Sequence, residues 1–166
     1  MSQFLKNPWL SFIEAGEIAL KEDRLEDAAV NFQTALLEAH SCEDAAQRFS
    51  YTFDLLADTF QKLNRLEQAE EASLRSLRIK QNCDAYTKSD VLRAMLKLSR
   101  IYYDQSKLGA AAYTTNRALL LSEQTLGATH HAVGFVARQL ADLYSALGSF
   151  KEAEILYDRA QGLQRI

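Results

Sequence analysis

Three histidines and two cysteines are the residues of this sequence whose types could bind a metal ion or form a disulfide bond. His130 and His131 are adjacent, and adjacent residues of a helix do not share a face, so only His40 would remain to complete a site with either of them. Cys42 and Cys83 form no C-x-x-C pair and have no histidine at the spacing of a zinc site. The pattern therefore predicts no metal site and no cofactor.

Motifs for catalysis are also missing from the sequence. It contains no glycine-rich loop that would cradle a phosphate, no nucleophile motif, and no pair of carboxylates that differs from ordinary charge on a helix surface. We therefore expect a protein that is not an enzyme. Its function would then depend on what its surface binds.

Length and composition limit the class of protein. The chain has 166 residues, a formal net charge of −3, one Pro and six Gly. A chain of this length can fold as one domain without metal or disulfide bonds. The acidic balance disfavours nucleic acid as a general partner. No apolar run reaches the ~20 residues that span a bilayer, and the N-terminus lacks the pattern of a signal peptide. We expect a single cytoplasmic domain, residues 1–166, without a membrane segment.

Four alanines mark a repeat along the chain, and this repeat determines which elements position the surface residues. They are Ala28, Ala69, Ala111 and Ala153, at intervals of about 42 residues. A fixed period of this length indicates a stacked array of one supersecondary unit, which presents a surface rather than enclosing an active site. Cys42 and Cys83 occupy the same place in two units. Because stacked helices lie about 8–10 Å apart, we expect two reduced thiols.

Each unit is predicted to contain two helices joined by a short turn, because apolar residues recur at steps of three and four on both sides of a turn former. The predicted turns are Asp23-Arg24-Leu25, Asn64-Arg65-Leu66, Ser106-Lys107-Leu108 and Gly148-Ser149-Phe150. Small residues at Gly16, Ala57, Ser99 and Ala141 would let the paired helices approach closely. The units are expected at about 8–40, 44–81, 85–124 and 130–164, with Asn7, Asp84 and Thr129 as N-caps. No segment alternates as a strand would, so the expected fold is all-α with eight helices.

The repeated residues resemble those of the tetratricopeptide repeat (TPR) family. Ala28-x-x-x-Phe32-x-x-Ala35 and Ala153-x-x-x-Tyr157-x-x-Ala160 are similar to the second helix of such a repeat. Leu126-Gly127-Ala128-Thr129-His130-His131-Ala132-Val133 resembles the Leu-Gly-x-x-His-Pro-x-Val of the longer subtype found in kinesin light chains, with His131 in place of the proline and Gln139 where asparagine is usual. The resemblance implies a right-handed superhelical solenoid of four antiparallel helix pairs, whose first helices line a concave groove that holds a peptide or a partner protein.

By analogy with that family, one set of residues is expected to face the groove. Its acidic first half would contain Glu17, Asp54 and Asp58, and its basic second half Arg93, Lys97, Arg100 and Arg138, so a ligand with its own charge asymmetry would bind in one orientation. The aromatic residues expected to contact ligand are Tyr51, Tyr103 and Phe135. Further groove positions are Leu10, Ile13, Gln61, Leu96, Asp142 and Ser145. The alternative is that these charges pair with one another on a solvated face, Asp58 with Arg93 or Arg100.

Three functions remain open at this point. The first is an adaptor or scaffold that binds a peptide segment of a protein partner in its groove. The second is a structural subunit that assembles through its ends, because Leu156, Leu163 and Ile166 are expected to expose apolar surface on the last repeat and to form a homodimer. The third is a regulatory module that senses a peptide or RNA phosphate through its basic residues.

Overall fold

The computed structural model describes residues 7–39 and 44–164, and within them every regular element is a helix. The helices are α1 (Pro8–Lys21), α2 (Leu25–Glu38), α3 (Ala45–Lys62), α4 (Leu66–Asn82), α5 (Lys88–Asp104), α6 (Leu108–Leu126), α7 (His131–Ala146) and α8 (Phe150–Gln164). The predicted all-α fold of four helix pairs is confirmed. In the described part of the chain, no helix combines the length and apolar character needed to cross a lipid bilayer.

The four predicted turns share one backbone geometry. One residue in each turn has a positive φ: Asp23 (57°), Asn64 (56°), Ser106 (60°) and Gly148 (80°). The residue that follows each of them donates its N–H to a carbonyl five residues earlier, as Arg24 does to Ala19 at 2.8 Å. This is the Schellman arrangement that ends helices, and it favours residues that tolerate the left-handed region. The turn formers therefore set where each first helix stops.

Two of the predicted N-caps were wrong. The cap of α5 is Thr87 rather than Asp84, because Thr87 and Asp90 form a capping box in which each side chain accepts a hydrogen bond from the backbone of the other. The cap of α7 is His130 rather than Thr129, and its Nδ1 accepts from the N–H of Ala132 at 3.2 Å.

Asn7 precedes α1 as predicted, with Pro8 in the first turn of the helix, but its side chain makes no capping bond. Its Oδ1 accepts from Arg48 at 3.2 Å instead. Asn7 therefore connects the start of α1 to α3.

The chain divides into two compact units, Met1–Ala85 and Tyr86–Ile166. In the first unit α2 packs against α1 and α3, and α3 against α4; in the second, α6 packs against α5 and α7, and α7 against α8. The marker alanines lie at the centre of these contacts, each at most 2% exposed. Each unit therefore holds two helix pairs around its own core.

Small and large side chains alternate across the paired helices. A Cβ added to Gly16 would lie 2.4 Å from Cε1 of Phe32, so only glycine leaves room for that ring. In the third pair the same two positions hold Ser99 and Thr115, whose hydroxyls are 2.5 Å apart. The predicted column of small residues therefore brings the helices of a pair together, with the facing residue adjusted in size.

Candidate peptide-binding groove

The second unit contains a cavity of about 590 Å³ between α5 and α7. Leu96 and Leu143 contribute apolar surface, and Tyr103, with 52% of its surface exposed, stands at the rim. Ser99 and Thr115 are buried and bond to each other. The remaining lining residues are Arg100, Gln139 and Asp142. The cavity is large enough for several side chains and combines apolar walls with a few polar groups, as ligand sites commonly do.

The arginines on α5 pair with carboxylates of their own helix. Arg93 binds Asp90 at 2.5 Å, and Arg100 lies 3.5 Å from Asp104. Their side chains are 79% and 75% exposed. Exposed pairs of this kind contribute only about 0–1 kcal/mol, so a ligand carboxylate can displace Asp90 from Arg93 or Asp104 from Arg100. The hydroxyl of Thr87, together with its backbone N–H and the Arg93 guanidinium, lowers the pKa of Asp90 to about 2.

On α7, Asp142 lies at the edge of the cavity and is held from α8. The hydroxyl of Tyr157 donates to Asp142 Oδ1 at 2.6 Å, and this hydrogen bond raises the pKa of the Tyr157 phenol. The positive charge of Arg138 acts in the opposite direction and lowers the pKa of the same phenol. Asp142 therefore already accepts one hydrogen bond at the edge of the cavity.

The structure brings together only part of the predicted site in the second unit. Arg100 and Tyr103 line the cavity, whereas Arg93, Lys97, Phe135 and Arg138 are not among its lining residues. Phe135 is nevertheless 61% exposed on α7. Those four residues stay predictions.

In the first unit, Tyr51 and Glu17 join α1 to α3. The Tyr51 hydroxyl donates to Glu17 Oε1 at 2.9 Å. Burial raises the pKa of Tyr51, and the carboxylate of Glu17 raises it further. The Trp9 ring meets Tyr51 edge-on, with centroids 6.2 Å apart, and Trp9 Nε1 donates to the buried Thr52 hydroxyl at 3.0 Å. Two predicted groove residues therefore belong to one aromatic cluster.

Asp54 takes part in a polar network between α3 and α4. Lys80 Nζ donates to Asp54 Oδ2 at 2.5 Å, and Ser76 Oγ donates to Asp54 Oδ1 at 2.7 Å. Ser76 lies 3.1 Å from the Ser50 hydroxyl, and both serines are fully buried. Asp54 was predicted as a ligand residue, yet much of its charge is already matched by Lys80. Asp58, also predicted, is exposed on α3.

Two apolar side chains that were predicted to lie on the surface are buried instead, so both predictions were wrong. Ile13, expected in the groove, is 3% exposed. Leu163, expected on an open face, is only 9% exposed because Gly134 lets α8 approach α7, where an added Cβ would lie 3.1 Å from Leu163 Cβ. Leu156 is half-buried. Ile166 lies outside the described residues.

Gln139 and Leu143 line the cavity but were absent from the predicted site. For Gln139 the sequence offered a signal, since it stands where the resembled subtype usually has asparagine. Leu143 gave none, because its apolar side chain suits the core equally well.

The His, Cys, Asp and Glu side chains are the ones that could bind a metal ion. Within 7–39 and 44–164, no group of three or more His, Cys, Asp or Glu side chains is arranged to hold an ion. His130 caps α7. Cys83 is a half-buried free thiol. His40 and Cys42 lie outside the described residues.

Family models of the tetratricopeptide repeat match residues 90–165 and 52–83. None of the curated proteins matches this sequence. Among solved structures, the fold is similar to that of BtubC (BKLC) from P. vanneervenii, with a TM-score of 0.76 and 20% identity over 90% of this chain and 59% of that one. Apo RapI has a TM-score of 0.80 and 14% identity, with 96% of this chain and 44% of RapI covered.

A putative kinesin light chain from Podosopora anserina, with nearly identical TPR-like repeats, has a TM-score of 0.79 and 16% identity over 97% of this chain and 78% of that chain. At these identities the likeness concerns the fold alone. This chain spans less than two thirds of BtubC and less than half of RapI. The two matched segments together cover more than half of the sequence, and the fold agrees with them. The chain belongs to the tetratricopeptide repeat family.

Proposed function

We propose that this protein is a cytoplasmic adaptor, without catalytic activity, that binds a peptide segment of a partner protein in the cavity between α5 and α7. Repeats of this family generally mediate protein–protein interactions. The observation that carries the proposal is the cavity of about 590 Å³, which combines apolar walls with exposed, exchangeable charge. A preformed surface of this kind binds with little loss of ordering entropy.

The lining residues indicate what such a segment would contain. An apolar side chain would pack between Leu96 and Leu143, against the exposed ring of Tyr103. A carboxylate would compete with Asp104 for Arg100, whose guanidinium lies 3.5 Å from its partner. The amide of Gln139 can both donate to and accept from a peptide backbone. The favoured ligand is therefore a segment with an apolar residue next to an acidic one.

Selection from a displayed library of random peptides tests this function. Purified wild-type protein should enrich peptides in which an apolar residue stands next to an acidic one. The substitution Tyr103→Ala or Arg100→Glu should lower the affinity for the selected peptides by about tenfold, because the loss of a contact residue commonly has an effect of this size. Tyr113→Ala is the matched control, because Tyr113 is 66% exposed on α6 and does not line the cavity. Equal binding by Tyr103→Ala and Tyr113→Ala would overturn the proposal.

A second candidate function is self-association through the first and last helices. Ile18 of α1 is 52% exposed, whereas the equivalent Thr59 of α3 and Leu143 of α7 are at most 6% exposed. Phe150 at the start of α8 is 69% exposed, whereas the equivalent Leu25 and Leu108 are half-buried. The α8 of one copy packing against the α1 of another would cover both side chains.

Sedimentation velocity at tens of micromolar tests that assembly. The wild type should sediment as a homodimer or larger species, and Phe150→Asp should shift it to the monomer. A wild-type monomer throughout this range would exclude the second candidate.

A further inference from the structure

Glu17 and the aromatic cluster of the first unit form a second candidate site, which does not depend on the cavity between α5 and α7. Glu17 is half-buried on α1, and its Oε1 accepts from Tyr51. Within the residues that the structure describes, no Lys, Arg or His pairs with this carboxylate. Asp54 on the neighbouring α3, by contrast, is paired with Lys80. Glu17 thus presents a negative charge that no cation among the described residues of its unit neutralises.

The rings beside Glu17 have the chemistry and rigidity of a cation site. Tyr51 is 44% exposed, and its ring is held by the hydroxyl bond to Glu17 and by the edge of Trp9. Trp9 is fixed in turn by the bond from its Nε1 to buried Thr52. Aromatic faces attract cations, and a carboxylate close by adds its own Coulomb attraction. These side chains would need little rearrangement to accept one.

The chain already places one guanidinium on this cluster. The Arg48 Cζ lies 5.0 Å from the centroid of the Trp9 ring, and the Arg48 side chain is only 12% exposed. Its charge is matched by Asp44, at 2.9 Å from Arg48 Nε. Arg48 therefore occupies a face of Trp9 without neutralising Glu17, and the exposed ring available to a second cation is that of Tyr51.

An apolar surface for the stem of a long cationic side chain lies on the same helix. Leu10 is 46% exposed and stands two turns before Glu17 on α1, at the position in its repeat that Tyr51 holds in the next. Arginine and lysine lay their methylene groups along apolar surface while keeping the charged head near water. Because a guanidinium is planar, it can stack on a ring and bond a carboxylate at once, which favours arginine over lysine.

We propose that Leu10, Tyr51 and Glu17 form a subsite for an arginine side chain of a partner protein. The methylene groups pack on Leu10, and the guanidinium lies over Tyr51 and bonds Glu17. The carboxylate can accept from the Tyr51 hydroxyl and from a guanidinium together, because it offers about four acceptor positions.

The test uses Trp9 as a reporter, because it is the one tryptophan of the chain and its indole N–H gives a single, assignable NMR signal. The probe is the pentapeptide acetyl-Leu-Ala-Arg-Ala-Leu-amide, titrated to several millimolar against the same peptide with neutral citrulline in place of arginine. The arginine peptide should shift the indole signal with an affinity about three- to tenfold tighter than the citrulline peptide, from an exposed cation–π contact and an exposed ion pair.

Three variants distinguish binding at this subsite from the non-specific attraction of a cation to an acidic protein. Glu17→Gln and Tyr51→Ala should each lower the affinity for the arginine peptide to that for the citrulline peptide. Glu14→Gln removes the same charge from an exposed position one turn away on α1 and should leave the preference for arginine intact. Equal or absent shifts with the two peptides, or the same loss in Glu14→Gln as in Glu17→Gln, would overturn the proposal.

Discussion

Helices α1 and α2 approach closely at Gly16, and Gly16→Ala should destabilise the protein. The new Cβ would lie 2.4, 2.7 and 2.8 Å from three atoms of the Phe32 ring, and Phe32 is fully buried, so the ring has no free space to enter. Overpacking of this kind costs about 1–3 kcal/mol. Alanine is favoured over glycine inside a helix by about 0.5–1 kcal/mol. Because an approach of 2.4 Å places this clash in the upper half of that range, at about 2–3 kcal/mol, the net loss in unfolding free energy is about 1–2.5 kcal/mol.

Thermal unfolding followed by circular dichroism measures this loss. For a chain of this size, a loss of about 1–2.5 kcal/mol corresponds to a fall of about 2–10 °C in melting temperature. Gly109→Ala is the matched control in α6, because nothing lies within 4 Å of its added Cβ. That variant should melt at the wild-type temperature or slightly above it.

A double-mutant cycle identifies Phe32 as the cause. Phe32→Leu alone leaves a cavity and should destabilise the protein. In the Gly16→Ala background the smaller side chain relieves the clash, so Phe32→Leu should lower the unfolding free energy by less than it does in the wild type. If Gly16→Ala and Gly109→Ala change the melting temperature alike, α1 and α2 do not approach as closely as described. The account of the small-residue column would then be refuted.

Three further variants test the packing and the electrostatics. Lys80→Met should lower the unfolding free energy in urea by about 3 kcal/mol because Asp54 loses its cation, and Asp54→Leu combined with Lys80→Met should cost less than that single change. The pKa of Asp90, about 2 against an ordinary 3.8, implies stability that is present above about pH 4 and lost as pH falls toward 2. The difference in melting temperature between the wild type and Asp90→Asn should therefore shrink over that range. Leu163→Asp should lower the melting temperature strongly because it buries a charge, whereas Val30→Asp, at a position 60% exposed on α2, should leave it nearly unchanged; a comparison of thermal melts distinguishes them.

The helices and turns could be predicted because their signals are local. Asn64 and Ser106 are short polar residues that tolerate the left-handed backbone, and each is followed at once by the next helix. The cap of α5 was misplaced because Asp84 and Thr87 are both good caps. The reciprocal bonds between Thr87 and Asp90 decide between them, and those depend on where the helix actually begins.

The site was harder to predict because it depends on contacts between distant residues. Arg100 and Tyr103, which were predicted by analogy with the family, both line the cavity. The pairing of Asp54 with Lys80 was not predicted, because the two residues are 26 positions apart and the contact arises only when α3 and α4 pack. Leu163 was assigned to an open face because the sequence does not show how closely Gly134 lets α8 approach α7.

The central claim is that the cavity between α5 and α7 holds a partner protein, and photo-crosslinking tests it most directly. A benzoylphenylalanine would replace Tyr103 in one protein and Tyr113 in another, and both would be irradiated in living cells. The account predicts a discrete adduct with a partner from position 103 and none from position 113. An adduct of equal yield from position 113, or no adduct from position 103, would contradict it.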